Sequence, residues 1–236
     1  MKNVLYGFLF FMFLASVTLP QTSDPTKGNG NSNPQIRETL PIIEITNQTV
    51  PEGFYTQSAQ QMKPNAVVDN KGTEFWLCME RNIDSGIREL YFDIGSDAPA
   101  TGTMSIPGIN YSISFTVSPD SITRVNIPFE AIIYSSEVVE NKGIHIVTSS
   151  EVAIYGNNLR SYSSDSFLAL PLDILSTRYL TVSYSNPQGI SSEGNLSQFA
   201  IVSPYDNNTI TITPSRTTLN NKPANTSFTI TLMKGE

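Results

Sequence analysis

The sequence predicts an all-β protein made of two consecutive antiparallel β-sandwich-like units, the second of them incomplete. Three observations carry this prediction. Runs of β-branched and aromatic residues recur every ten residues or so from residue 72 onward, the spacing of strands in a sandwich. The segments between them, such as Asp84-Ser85-Gly86, Pro107-Gly108 and Ser118-Pro119-Asp120, hold the residue types that set or permit turn dihedrals. No long stretch shows the 3.6-residue apolar period of a helix.

In chain order, Lys2 precedes an apolar or small run over residues 4–17, followed by the polar Gln21-Thr22-Ser23-Asp24. This is the layout of a signal peptide, assigned to residues 1–23, and the run is shorter than the roughly 20 residues of a membrane span. Export to the cell surface or beyond is therefore expected, with no membrane span left after cleavage. Residues 24–71, with Pro25, Gly28, Gly30 and Pro34, read as a low-order linker whose later part can add an edge strand.

The first sandwich unit is assigned to residues 72–160. Its strands are expected at 73–79, 89–94, 101–106, 111–117 and 122–127, followed by a hairpin of 144–148 with 152–155 around Ser149-Ser150-Glu151. The clearest period of two is at 111–117, where Tyr111, Ile113, Phe115 and Val117 alternate with Ser112, Ser114 and Thr116. The second unit is assigned to residues 161–236. It opens on Phe167-Leu168-Ala169-Leu170-Pro171-Leu172, too apolar for a free loop and so expected as a plug between the units. Strands follow at 179–184, 198–203, 209–213 and 227–233, with residues 205–208 as a hairpin turn. Four strands need a covering layer, so Phe228, Ile230 and Leu232 are expected to be exposed.

Composition excludes several functions. The 236 residues carry a formal net charge of −7 and no basic run, which leaves no footprint for nucleic acid or anionic lipid. Cys78 is the only cysteine, so no intrachain disulfide forms, and its apolar neighbours predict an inert buried thiol. His145 is the only histidine; within Ile144-His145-Ile146 it reads as a half-exposed strand residue rather than a catalytic base. One His and one Cys cannot assemble a usual zinc site, and no Gly-rich phosphate loop occurs. No catalytic residue, metal or cofactor is expected. Asp165 reads as a turn cap, and five glycosylation sequons begin at Asn47, Asn110, Asn195, Asn207 and Asn225.

Several motifs then occur in order. They are Gly72-Thr73-Glu74-Phe75-Trp76, Asn141-Lys142-Gly143-Ile144-His145-Ile146, Val152-Ala153-Ile154-Tyr155-Gly156, and the run from Ser161-Tyr162-Ser163-Ser164-Asp165 to Leu170-Pro171. Phe199-Ala200-Ile201-Val202 and Asn208-Thr209-Ile210-Thr211-Ile212-Thr213-Pro214-Ser215 complete the set. Together they resemble the N-terminal domain family of IgG Fc-binding protein, also found in bacterial surface and adhesin-like proteins. The resemblance covers roughly residues 72–236, and the family domain runs further than residue 236. It implies a secreted or cell-surface, non-enzymatic adhesion module for an extracellular protein or glycoprotein, mucin-like or immunoglobulin. It carries no residue-level binding motif onto this chain.

Loop chemistry supplies the candidate partner-binding residues. Segment 157–165 offers Arg160 and Tyr162, and the Gly/Ser-rich segment 186–197 offers Gln188 and Glu193. The alternative is a carbohydrate-binding sandwich presenting Tyr155, Tyr162, Tyr179, Tyr184 and Tyr205 on one face. A coplanar tyrosine row would favour that alternative, a flat polar loop surface a protein partner, and His145 beside a carboxylate and a serine in a pocket an enzyme.

Overall fold

The computed structural model describes residues 42–46, 69–82, 88–161, 163–181 and 198–236. The expected signal peptide, most of the expected linker and segment 186–197 lie outside the described residues. Along the described residues the strands are β1 (Ile42–Thr46), β2 (Gly72–Leu77), β3 (Met79–Glu80), β4 (Arg88–Gly95), β5 (Ala100–Ile106), β6 (Tyr111–Val117) and β7 (Thr123–Asn126). They continue with β8 (Ile132–Ile133), β9 (Ile144–Arg160), β10 (Ser163–Leu168), β11 (Arg178–Leu180), β12 (Asn208–Thr213) and β13 (Phe228–Leu232). The helical turns among them are short 3-10 turns, so the all-β class holds.

The long strand β9 organises the larger sheet. Its first half pairs with β2 on one side and β5 on the other, and β6 lies beyond β5. Its second half pairs with β4 and β10, and β7 lies beyond β4. β9 thus belongs to two layers and turns the corner between them. The far edges approach each other where the Thr123 hydroxyl donates to the Thr116 carbonyl at 2.9 Å, which nearly closes the sheet into a barrel.

The expected hairpin around Ser149-Ser150-Glu151 is therefore one continuous 17-residue strand. Inward burial runs without a break through Ile144, Ile146 and Thr148, then Val152, Ile154, Gly156, Asn158 and Arg160. The three polar residues stand where β9 changes layers, and hydroxyls replace ladder bonds there. The Thr101 amide donates to Ser149 Oγ at 3.0 Å, Ser150 Oγ donates to the Pro99 carbonyl at 3.2 Å, and Ser96 Oγ donates to the Glu151 carbonyl at 2.7 Å. The loop between β4 and β5 supplies two of these partners, so it pins the corner. β2 answers with a register shift between Gly72 and Glu74.

The core of this unit is formed by Phe75, Leu77, Phe92, Ile94, Met104, Ile106, Ile144, Ile146 and Ile154, each at most 1% exposed. Phe167 and Ala169 join it. The expected plug is thus half strand: Phe167 and Leu168 end β10, and the Ala169 amide donates to the Ile154 carbonyl at 2.9 Å. Phe92, Gly156 and Phe167 form one cross-strand row, and the two rings meet edge to face at 6.5 Å. A Cβ on Gly156 would lie 2.0 Å from the Phe167 ring, so the row requires glycine. Of segment 157–165, expected as a loop, residues 157–160 and 163–165 form the β9–β10 ladder, and Asp165 pairs with Asn158 across it rather than capping a turn.

A second antiparallel sheet has the order β11-β1-β12-β13. β1 comes from the stretch expected as a linker and is a central strand, with Ile43 opposite both Tyr179 and Ile212. Residues 198–203, expected as a strand, form no strand; Ser203 exchanges backbone bonds with Gly235 and Glu236, and Phe199 and Ile201 pack against the small core of Tyr179, Ile210, Ile212 and Leu232. Asn207, at φ 56°, forms a turn into β12, whose partners are β1 and β13 rather than the preceding segment. On β13, Leu232 is buried and Phe228 and Ile230 are half-buried, not exposed as expected.

Candidate functional site

The segment beyond residue 198 is fastened to the first unit by backbone and side-chain bonds. The Gly143 amide donates to the Gly235 carbonyl at 2.8 Å, and Lys234 Nζ lies 5.3 Å from the centre of the Trp76 ring. Gln198 Nε2 donates to the Arg81 carbonyl at 3.1 Å, and Asn220 Nδ2 donates to the Ser136 carbonyl at 3.1 Å. Between these last two ties lies a cleft of about 230 Å³. Its lining comes from the end of β3 (Glu80 and Arg81), from Tyr134, Ser135 and Ser136 after β8, and from residues 198–200 and 219–220.

The wall after β8 is held rigidly. Glu140 Oε1 accepts from the Tyr134 amide at 3.0 Å and the Ser135 amide at 2.7 Å, and the same carboxylate pairs with Lys142. Burial works against ionisation of Glu140, but the Lys142 bond and these two amides outweigh it and hold the carboxyl below its ordinary range. The Tyr134 ring is 43% exposed, with Arg81 Cζ 5.9 Å and Lys142 Nζ 5.7 Å from its centre.

Glu80 is the anomaly of the site. Parallel pairing of β3 with β8 sets it opposite Ile133, and Asn158 Nδ2 donates to its carbonyl at 2.8 Å. The residue is 3% exposed, and its carboxyl oxygens are buried with the Ala200 amide as the polar group beside them. Burial, and next the charge of Asp165, push its pKa well above the ordinary range, while the nearby Ala200 amide opposes the shift. A buried carboxyl whose pKa is pushed up at the edge of a cleft is a candidate functional position.

The candidates from the sequence fall elsewhere. Arg160 lies on the inward-facing register of β9 and is 5% exposed, its Cζ 5.7 Å from the Phe129 ring, so it is packed rather than displayed. Tyr162, Gln188 and Glu193 lie outside the described residues. The tyrosines proposed as a row do not share one face among the described residues: Tyr155 is 49% exposed, whereas Tyr179 is buried and its hydroxyl donates to the Ser176 carbonyl. Tyr162 and Tyr184 lie outside the described residues.

His145 does stand beside a carboxylate, with Nε2 2.9 Å from Glu74 Oε1, and Ser105 faces it across the β5–β9 pair. Its ring stacks on Trp76 at 4.3 Å and 14°. Trp76 and His145 are direct partners of the β2–β9 pair, so the stacked rings form a cross-strand packing contact. Cys78 is buried, and burial together with Glu80 pushes its thiol pKa far up. Among the described residues no group of three or more His, Cys, Asp or Glu could hold a metal ion, and no helix is long and apolar enough to cross a membrane.

Sequence reasoning missed the cleft. Its one local signal is Glu80 closing the apolar run Phe75-Trp76-Leu77-Cys78-Met79. Asn220 and Phe199 reach it only through the docking of distant segments.

Comparison with known proteins bears out the family resemblance over part of the chain. The family model described as IgGFc binding protein matches residues 165–236. The match takes in Asp165 to Pro171 of the quoted run, both later motifs and the Gln198 and Asn220 sides of the cleft, and it leaves the motifs before residue 165 outside. No curated protein and no solved structure matches the chain.

Proposed function

We propose that a chain with this IgG Fc-binding family segment is a secreted or cell-surface, non-enzymatic binding module that engages an extracellular protein or glycoprotein at the cleft between its two β-units. The observation that carries the reading is the family match at residues 165–236. The cleft supports it: its far wall belongs to the matched segment, its near wall is rigid, and a buried carboxyl lines it. Immunoglobulin and mucin-type glycoproteins are the partner classes to examine first.

The test is capture by the immobilised full chain, using immunoglobulin Fc and mucin glycoproteins as analytes. Saturable binding of one class, weakened at least tenfold by Tyr134→Ala, is the expected result. Absence of binding to both classes would overturn the partner reading. Turnover of an ester, peptide or glycoside that disappears in His145→Ala would overturn the non-enzymatic one.

A further inference from the structure

Building on the reading of the chain as a binding module, we propose that the cleft seats one neutral sugar residue of a glycan. Size sets the first bound: a cleft of about 230 Å³ admits a single ring-sized group rather than a folded surface element. Chemistry sets the second. Tyr134 and Phe199 are the aromatic residues of the lining and Ser135 and Ser136 the hydroxylic ones, while the amide nitrogens of Gln198 and Asn220 already donate to the Arg81 and Ser136 carbonyls. A pyranose offers the matching alternation of apolar C–H faces with hydroxyls that both donate and accept.

Charge narrows the ligand further. A cation would meet Arg81 on the lining and Lys142 beside the same Tyr134 ring. Outside the lining, Glu140 pairs with Lys142, and Glu137 Oε2 lies 3.9 Å from Lys222 Nζ. The Lys142–Glu140 and Lys222–Glu137 pairs are each matched in charge, and burial pushes the Glu80 carboxyl well above its ordinary range. A neutral polar ligand therefore has the smallest desolvation cost. Glu140 and Asn220 fix the walls before any ligand arrives, so little ordering is left to offset on binding.

The full chain should be titrated with methyl glycosides of galactose, mannose, fucose and N-acetylglucosamine, beside a methyl sialoside as anion and arginine amide as cation, and followed by saturation-transfer NMR and calorimetry. At least one neutral glycoside should bind with a dissociation constant of about 1 mM. Ser136→Ala and Asn220→Ala should each weaken it at least tenfold, with Ser135→Ala as a further variant and thermal melts confirming that each is folded. Tyr155→Ala, on the outward register of β9, should leave binding unchanged. The proposal is overturned if no neutral glycoside binds, if only the sialoside or arginine amide binds, or if the folded cleft variants bind like the parent. Enzymatic deglycosylation of a captured glycoprotein separates the two readings. Capture that survives it removes the sugar proposal and keeps the module; glycoside binding without capture of any glycoprotein does the reverse.

Discussion

Truncating Phe167 should reveal how far the end of β10 belongs to the first core. Phe167 is 5% exposed and stands in a three-strand row with Gly156 and Phe92. Phe167→Ala removes a buried aromatic side chain and its edge-to-face contact, a loss of about 3–5 kcal/mol. Gly156→Ala instead places a Cβ 2.0 Å from the Phe167 ring, an overpacking cost of about 1–3 kcal/mol. The clash vanishes once the ring is gone. The double variant should therefore be less destabilised than the sum of the singles by about 1–3 kcal/mol. Urea unfolding followed by Trp76 fluorescence measures all four corners of the cycle, since Trp76 is the only tryptophan and is buried. A Phe167→Ala cost under about 1 kcal/mol, or singles that add to within about 0.5 kcal/mol, would refute the row as the packing unit.

Glu80→Gln should stabilise the protein and flatten its pH dependence. Because burial raises the folded pKa, the unfolded chain releases this proton first, near the ordinary value of 4.5, and stability falls above that pH until the folded pKa is passed. The slope within that window is about 1.4 kcal/mol per pH unit, and the parent-minus-variant difference in urea melts should show it; a difference independent of pH would contradict the uncharged carboxyl. Ile43→Pro should cost about 3 kcal/mol, because a central strand uses each amide in one ladder or the other. Hydrogen exchange should then accelerate across β12, and unchanged protection there would contradict the placement of β1. Cys78 should resist a thiol reagent in the native protein and react only on unfolding; prompt native labelling would contradict its burial.

What the sequence determined by itself was local. In β6 the alternation of Tyr111, Ile113, Phe115 and Val117 with hydroxylic residues settles the strand, because side-chain direction repeats every two residues whatever the partner, but not the depth of its apolar face, where Val117 is buried and Ile113 exposed. In β12 the same rule places Ile210 and Ile212 inside. The family motifs from Asp165 onward were also legible, and the family match at residues 165–236 takes them in. Whether a strand continues or turns was not. Ser149-Ser150-Glu151 has turn composition, yet β9 runs through it because the β4–β5 loop, some 50 residues upstream in sequence, supplies hydroxyl and carbonyl partners at that corner.

Pairing over long distances was decided by tertiary structure alone. β1 fills the middle of a sheet whose other strands begin more than 130 residues later, and nothing in Ile42–Thr46 specifies that neighbour beyond a strand-like pattern. The cleft belongs to the same class. Glu80, Tyr134, Phe199 and Asn220 carry no shared motif, and they line one cavity because backbone bonds such as Gly143 to Gly235 dock the second sheet against the first. The physical reason is that alternation and turn chemistry act between near neighbours. A binding site is a coincidence of surfaces in space, which depends on how those elements pack.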